Sequence, residues 1–253
     1  MINLKNVSIS FNGKPVIKDI NLDVEQGETM VIIGPSGSGK STLIRLMIGL
    51  IKPDGGEVWI DGQEISQVNE DKLNDLRRSM GMVFQYSALF DSMTVGENVA
   101  FGLRQHTKMN DQEIARVVRR KLKMVGLSGQ ENKMPNELSG GMKKRVSLAR
   151  ATALNPRIIL YDEPTAGLDP LMSATISRLI SSTRRILKVT SVVVTHDMAS
   201  AFWVADRIAM IYDGQIIACG TVSEIKESSD QLVQKFINGM SSPGQAAKRR
   251  AKI

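Results

Sequence analysis

A glycine-rich run near the N-terminus carries the most specific chemical signal in this sequence. Residues 34–41 read Gly-Pro-Ser-Gly-Ser-Gly-Lys-Ser and follow the apolar run Met30–Ile33. Glycines between a buried strand and a helix let backbone N–H groups converge on phosphate oxygens, and the helix N-terminus adds partial positive charge. In such a loop Lys40 reaches the β- and γ-phosphates of a nucleotide, and the Ser41 hydroxyl binds Mg²⁺. The alternative is a glycine-rich strand–helix turn without a ligand.

Two acidic residues end a second apolar run, where residues 158–163 read Ile-Ile-Leu-Tyr-Asp-Glu. A carboxylate at the end of a neighbouring strand can hold Mg²⁺ or its water shell, and we predict this role for Asp162. Glu163 lies one residue closer to the terminal phosphate and would accept a proton from the attacking water. A surface acidic pair is the alternative. With the phosphate loop, the pair predicts hydrolysis of a nucleoside triphosphate.

A second glycine-rich helix start occurs at residues 138–142, which read Leu-Ser-Gly-Gly-Met. Together with the loop at 34–41, the acidic pair at 162–163, Gln85 and His196, it resembles the ABC-type ATPase cassette over residues 2–240. This resemblance implies that two copies of the chain sandwich two ATP molecules. A helix N-terminus with exposed N–H groups is a plausible anion site on physical grounds as well.

The resemblance also assigns roles to individual residues. The signature residues at 139–141 bind the γ-phosphate of ATP held by the opposite subunit, and Asp169, in the Ala-Gly-Leu-Asp stretch 166–169, communicates across the dimer. Gln85 contacts Mg²⁺ and water and links to the helical subdomain, while His196 touches the γ-phosphate. Met142 departs from the family's usual glutamine, and a methionine cannot donate a hydrogen bond to the partner's nucleotide.

Phe11 fits the family's aromatic position that stacks on adenine, although tyrosine is commoner there. The alternative for Phe11 is a phenylalanine in the hydrophobic core. The alternative for His196 is a histidine with a structural role. The predicted nucleotide-binding set is Phe11, Gly34, Pro35, Ser36, Gly37, Ser38, Gly39, Lys40, Ser41, Thr42, Ser139, Gly140, Gly141 and Asp169. The predicted magnesium set is Ser41, Gln85 and Asp162, and the predicted catalytic set is Glu163, His196 and Gln85.

Strand-like runs that alternate with helical stretches predict the fold that must position these residues. We expect an α/β P-loop NTPase fold with a mostly parallel sheet flanked by helices, an N-terminal antiparallel β portion and an inserted helical subdomain. The predicted ATPase domain spans 1–240, with a RecA-like core at 1–85 and 156–240. The pattern from Tyr86 to about Lys133 is helical, and Ser139 is a good N-cap for a helix through Leu154. The helical subdomain is therefore expected at about 86–155.

Composition excludes several classes of protein. The 33 Lys and Arg residues exceed the 26 Asp and Glu residues, giving a net charge of +7, but residues 241–253 hold four of those cations and no acid. The rest of the chain is nearly balanced, which argues against a nucleic-acid binder. A single cysteine, Cys219, excludes an internal disulfide and fits a reducing compartment. The absence of a long apolar run or signal-peptide core predicts a cytoplasmic protein.

Three further segments resemble the MlaF subgroup, the ATPases of MCE-type phospholipid transport systems: residues 85–90, 103–107 and 134–137. This resemblance implies an ATPase on the cytoplasmic face of the inner membrane. Its expected partners are a second copy of the chain, an MlaE-like permease, an MlaD-like MCE protein and a small MlaB-like STAS-domain subunit, with phospholipid as the transported substrate and no nucleic acid. The alternative is the ATPase of a different importer, such as one for a small polar solute.

Two regions are expected to contact these partners. Leu89 and Phe90, just after Gln85, lie in the stretch that receives the permease's coupling helix in similar cassettes, with packing inside the helical subdomain as the alternative. The basic segment 241–253 is predicted to be a flexible tail, dispensable for ATP chemistry but needed for assembly with partners.

Overall fold

Ten strands and nine α-helices build the part of the chain that the computed structural model describes, residues 1–239. The predicted basic tail at 241–253 lies outside these residues. The strands are β1 (Ile2–Phe11), β2 (Lys14–Val24), β3 (Thr29–Ile33), β4 (Gly55–Ile60), β5 (Gln63–Glu64), β6 (Met80–Val83), β7 (Ile158–Asp162), β8 (Thr190–Val194), β9 (Arg207–Tyr212) and β10 (Gln215–Thr221). The helices are α1 (Lys40–Met47), α2 (Glu70–Arg78), α3 (Val95–His106), α4 (Asp111–Met124), α5 (Gly140–Ala151), α6 (Pro170–Leu187), α7 (Met198–Val204), α8 (Val222–Lys226) and α9 (Gln231–Ile237), with a 3₁₀ turn at Pro135–Glu137.

The strands form two sheets. An N-terminal sheet has the order β2-β1-β4-β5, and all its pairings are antiparallel. The second sheet has the order β10-β9-β3-β8-β7-β6. Its neighbours from β9 to β6 are parallel, and only the β10–β9 edge is antiparallel. The expected fold class, a mostly parallel sheet with an N-terminal antiparallel portion, is confirmed.

The parallel sheet is buried on both faces, which explains its uninterrupted apolar strands. All five residues of β3 and all five of β8 are buried. Alternate residues serve two separate cores, because successive side chains of a strand point to opposite faces. In β3, Val31 and Ile33 join the core shared with α3, α4 and α5, whereas Met30 and Ile32 join the core shared with α1 and the N-terminal sheet.

The helical expectation for residues 86–133 is wrong at both ends, since α4 ends at Met124 and residues 125–133 form turns and irregular backbone. Residues 86–94 form turns and irregular backbone, and α3 begins only at Val95 after a capping box between Thr94 and Glu97. The reason is a fully buried amide. Asn98 accepts from the backbone N–H of Phe90 (2.8 Å) and donates to the carbonyls of Phe90 and Met93. These bonds satisfy backbone groups that a helix would otherwise pair internally.

Other boundaries differ in smaller ways. The helix that Ser139 caps ends at Ala151 rather than Leu154, since Thr152 already forms the C-cap. Strand β6 stops at Val83, two residues before Gln85. Among residues 1–239, no helix combines the length and the apolar character that crossing a bilayer requires.

Candidate nucleotide-binding site

The candidate site lies at one edge of the parallel sheet, because β3, β6, β7 and β8 run in the same direction. Their carboxyl ends therefore meet at that edge, the usual ligand position in open α/β sheets. The loop at 34–41 follows β3, Gln85 follows β6, Asp162 ends β7, and His196 follows β8. The topology thus brings together four motifs that are far apart in sequence.

The backbone of the loop at 34–41 requires glycine at two points. Gly34 has a φ of 153°, and a Cβ there would lie 2.1 Å from the carbonyl oxygen of Ile211. Gly39 has a φ of 105° and is the N-cap of α1, without a side-chain cap. A side chain at either position would push the loop away from the strand ends. The first N–H groups of α1 consequently remain available to an anionic ligand.

Lys40 is folded into this loop. Its ammonium donates to the backbone carbonyls of Gly34 (2.8 Å) and Pro35 (2.9 Å). Burial lowers the pKa of Lys40, and the nearby carboxylates of Glu163 and Asp162 oppose that shift. The site therefore holds a partly desolvated cation, whose attraction for phosphate is stronger than that of a cation in water, and the two acids keep it charged.

Ser41 and Asp162 are joined directly. The Ser41 hydroxyl donates to Oδ1 of Asp162 across 2.9 Å, which brings the end of β7 to the start of α1. Burial is the largest cause of a raised pKa at Asp162. A hydroxyl, a carboxylate and the nearby amide of Gln85 are oxygen donors that suit Mg²⁺, which usually retains waters and substrate oxygens as its other ligands. The residues present therefore fit the metal that the motifs predict.

Glu163 and His196 form the second joined pair. Nδ1 of His196 lies 2.9 Å from Oε2 of Glu163, and the backbone N–H of His196 lies 3.4 Å from the same oxygen. Glu163 is buried, whereas 65% of the His196 side chain is exposed. This places a carboxylate at the floor of the site and an imidazole at its mouth.

The loop residues 35–37 and 39–41, Gln85, Glu163 and His196 line one cleft of about 940 Å³. Phe11 is 45% exposed at its rim, so the core-phenylalanine alternative is wrong. Of the predicted site residues, the cleft brings together Phe11, Pro35, Ser36, Gly37, Gly39, Lys40, Ser41, Thr42, Gln85, Glu163 and His196. Within the described part of the chain, the other predicted residues do not line it: Gly34, Ser38, Ser139, Gly140, Gly141, Asp162 and Asp169. Asp162 lies behind the lining and reaches it through its hydrogen bond with Ser41.

The signature residues lie at the start of α5, outside this cleft. Ser139 caps α5 by accepting the N–H of Met142 (3.3 Å), as predicted from the sequence. Its hydroxyl proton remains available to a ligand. Asp169 likewise caps α6, accepting the N–H of Met172 (2.9 Å). A Cβ on Gly141 would lie 2.3 Å from the Met172 side chain, so this glycine lets α5 and α6 pack closely.

Sequence reasoning missed several residues of the cleft. Val16, Arg45 and Phe236 line it, and Lys144 reaches the backbone of two of its members, Gln85 and Glu163. Phe236 belongs to α9, for which no motif gave a signal. Lys144 gave no signal either, because it lies between Lys143 and Arg145 in a basic run that reads as an exposed helix face.

Comparison with a family model defines the class of protein. The model for the ABC transporter family matches residues 17–166, more than half of the chain. The chain belongs to this family and carries its ATP-binding domain. It is an ABC ATPase, which binds ATP and couples its hydrolysis to transport.

Individual relatives of similar identity are named for transport of different substrates. The chain is 41% identical over 238 residues to the probable ribonucleotide transport ATP-binding protein mkl of Mycobacterium leprae, covering 94% of this chain and 69% of that protein. It is 40% identical over 241 residues to the intermembrane phospholipid transport system ATP-binding protein MlaF of Haemophilus influenzae, covering 95% and 91%. The ATP-binding cassette MJ0796, in a dimeric post-hydrolysis structure with ADP and Pi, matches with a TM-score of 0.81 at 37% identity, covering 88% and 99%.

Proposed function

We propose that this chain is the ATPase subunit of a phospholipid transporter and that it hydrolyses ATP at two composite sites in a homodimer. The observation that carries the proposal is the separation of the two glycine-rich helix starts. The loop at 34–41 lines the cleft with Glu163 and His196, whereas Ser139 lies outside that cleft. A second copy of the chain would bring its own Ser139 to the open side of the cleft.

In each composite site, the triphosphate lies on the loop at 34–41, with Lys40 moving from the loop carbonyls to the β- and γ-phosphates. Phe11 stacks on the adenine ring, for which only its exposed face is required. Ser41, Asp162 and Gln85 would hold Mg²⁺. When bound, the metal neutralises charge on the phosphate oxygens during transfer.

Hydrolysis then depends on the Glu163–His196 pair. Water attacks the γ-phosphorus, the bond to the bridging oxygen of ADP breaks, and the water proton passes to the Glu163 carboxylate. His196 orients that carboxylate through Nδ1, which leaves Nε2 for the γ-phosphate. The products are ADP and inorganic phosphate.

Homodimerisation is supported by the solved relative. The cassette MJ0796 is dimeric in its post-hydrolysis structure with ADP and Pi, and that chain is matched over 99% of its length. In the dimer we assign Ser139, Gly140 and Gly141 to the partner's γ-phosphate, and Asp169 to communication between the two sites. The division into a core at 1–85 and 156–240 and a helical subdomain at about 86–155 belongs to the same proposal.

Phospholipid is the substrate that we favour over a ribonucleotide or another small polar solute. The Haemophilus influenzae relative, named for intermembrane phospholipid transport, is matched over 91% of its length, against 69% for the mycobacterial relative named for ribonucleotide transport. The expected partners are an MlaE-like permease, an MlaD-like MCE protein and an MlaB-like STAS-domain subunit. The chain would then work on the cytoplasmic face of the inner membrane.

Phe90 remains our candidate for contact with the permease, but Leu89 is no longer a candidate. Leu89 packs against the hydrophobic core around α3 and α5. Phe90 is 40% exposed and contacts the ring of Phe101, with 4.7 Å between centroids. An exposed aromatic ring beside a second one offers the apolar anchor that a docking helix requires.

The experiment that tests the substrate is purification of the full chain with its membrane partners, followed by reconstitution into liposomes. We expect an MCE protein to co-purify and a fluorescent phospholipid to move in an ATP-dependent way. Glu163→Gln should abolish that movement while the complex stays assembled. ATP-driven uptake of a nucleotide or another polar solute, without lipid movement, would support the alternative importer.

A further inference from the structure

A buried cation connects the signature helix α5 to the catalytic edge of the sheet. Lys144 lies within α5, and only 6% of it is exposed. Its ammonium donates a short hydrogen bond to the carbonyl of Gln85 and a second bond to the carbonyl of Glu163 at 3.3 Å. A single side chain of α5 thus holds the backbones that carry two predicted catalytic residues.

The backbone of Glu163 depends on such support. Its φ of 48° lies in the left-handed region, which a residue with a Cβ adopts only when its surroundings enforce it. Its N–H donates to the carbonyl of Val194 (2.9 Å), and its own carbonyl accepts from Ala166 (3.1 Å). These two hydrogen-bond partners, Val194 and Ala166, both lie at the edge of the sheet where the parallel strands end. Lys144 is the contact that comes from α5.

The charge of Lys144 indicates that its position depends on its hydrogen bonds and not on packing alone. No carboxylate oxygen lies within ion-pair distance of it in residues 1–239, and burial lowers its pKa while Glu163 and Asp162 oppose the shift. A buried ammonium is costly unless hydrogen bonds satisfy it. Here backbone carbonyls satisfy it, so its position is tied to those of Gln85 and Glu163.

We propose that Lys144 is a positioning residue that couples the signature end of α5 to the catalytic carboxylate of the same chain. Ser139 and Lys144 are five residues apart, roughly 7.5 Å along the helix axis. When Ser139 binds the nucleotide of the partner subunit, α5 takes a fixed position. The Lys144 ammonium then holds the backbones of Gln85 and Glu163 in the positions needed for water to attack the γ-phosphate. This inference rests on the proposed roles of Ser139 and Glu163.

Lys144→Met in the full-length chain tests the coupling, because methionine keeps much of the length and removes the donor. We expect kcat for ATP hydrolysis to fall on the order of 10- to 100-fold, the typical cost of a misplaced catalytic group. KM for ATP and the ATP-induced dimer should stay within about 2-fold, since the phosphate loop is untouched. Lys143→Met, the neighbouring lysine, is the matched control and should leave kcat unchanged.

Lys144→Arg keeps the charge and the donors, and it should restore at least about a third of the kcat lost in Lys144→Met. This rescue also keeps the test decisive if Lys144→Met fails to fold. A folded Lys144→Met protein with kcat within about 2-fold of the original overturns the proposal, as does an equal fall in kcat for Lys143→Met. An inactive Lys144→Arg protein with intact ATP binding also overturns it.

A parallel Glu163→Gln variant separates this inference from the function on which it rests. If Glu163→Gln is inactive and Lys144→Met is normal, only the coupling role fails. If Glu163→Gln hydrolyses ATP normally, the proposed role of Glu163 fails, and the role of Lys144 fails with it.

Discussion

The two glycine-rich helix starts of this protein look alike in sequence but are built differently. At the N-terminus of α1, Gly39 occupies the N-cap with a φ of 105° and no side-chain cap. At the N-terminus of α5, Ser139 has a φ of −65° and caps the helix with its own hydroxyl. The first start lies in the cleft beside the buried Lys40, whereas at the second start Ser139 accepts only the N–H of Met142 and lines no part of the same cleft.

The difference shows how each start can act. The α1 start has a cation, neighbouring carboxylates and a walled cleft, so it can bind a triphosphate within one chain. The α5 start has only N–H groups and one hydroxyl proton, and we propose that these complete a phosphate site that another chain supplies. The comparison predicts that damage to α1 abolishes binding, and that damage to α5 abolishes turnover while binding survives.

The largest effect is expected for Lys40→Ala. Losing a charge-assisted bond to phosphate in a semi-enclosed site should weaken ATP affinity roughly 10- to 150-fold. A fluorescent ATP analogue titrated into the isolated chain measures the affinity. Lys52→Ala, at an exposed lysine just after α1, is the control and should bind normally. Unchanged affinity in Lys40→Ala would remove the loop at 34–41 from the binding site.

Ser139→Arg should have nearly as large an effect, but on turnover alone. An arginine at the tight start of α5 would block closure of the two chains, so hydrolysis should fall by roughly 50-fold or more while ATP affinity of the isolated chain stays within about 3-fold. Ser128→Arg, at an exposed serine in the loop after α4, controls for the added charge. Loss of ATP affinity in Ser139→Arg would mean that both helix starts serve one site within a chain.

Phe11→Ala should raise KM for ATP by about 10-fold, because stacking on a base is worth on the order of 1–3 kcal/mol. Phe11 lies in the same cleft as the α1 start, which binds the nucleotide, so kcat should change little. Phe11→Tyr should restore KM, since it supplies the same ring face. Competition between ATP and inorganic triphosphate separates base from phosphate binding, and an equal loss for both ligands would contradict stacking.

The smallest effect is expected on the free energy of unfolding, and it comes from α4, the helix that packs against α5. Lys121, at the end of α4, is buried and donates to Oδ1 of Asn155 across 2.8 Å. Burial, and to a smaller extent Arg120, lowers its pKa from 10.5 to about 8. Between pH 8 and 10.5 the unfolded chain therefore binds more protons than the folded chain, and the free energy of unfolding should rise with pH by about 1–3 kcal/mol.

Lys121→Met should remove that rise without changing ATP affinity, whereas Lys123→Met, at an exposed neighbour on α4, should keep it. Urea unfolding at several pH values measures the effect. A pH slope that persists in Lys121→Met would show that another group titrates, and a change in ATP affinity would show that the α5 region is not independent of the nucleotide cleft.

The parallel sheet, the phosphate loop and the acidic strand end were predictable from the sequence, because apolar strand runs and glycine spacing are local signals. Helix α2 and strand β10 were missed. Only Leu73 of α2 is buried, and β10 is an edge strand without a fully buried residue. The loop at 86–94 was predicted as helix, since the amide of Asn98 that organises it gives no local pattern. The contact of Lys144 with Glu163 depends on the packing of α5 against the strand ends, which no single segment encodes.

A disulfide test addresses the central claim most directly, that Ser139 of one chain meets the phosphate loop of another. Two tagged forms of the chain are prepared in a background of Cys219→Ser and Glu163→Gln, one with Ser36→Cys, at an exposed loop residue that lines the cleft, and the other with Ser139→Cys. Mixed with ATP and oxidised, they should form disulfide-linked heterodimers carrying both tags, and omission of ATP should reduce the yield. If no heterodimer forms with ATP while each form still binds ATP, the composite site is contradicted.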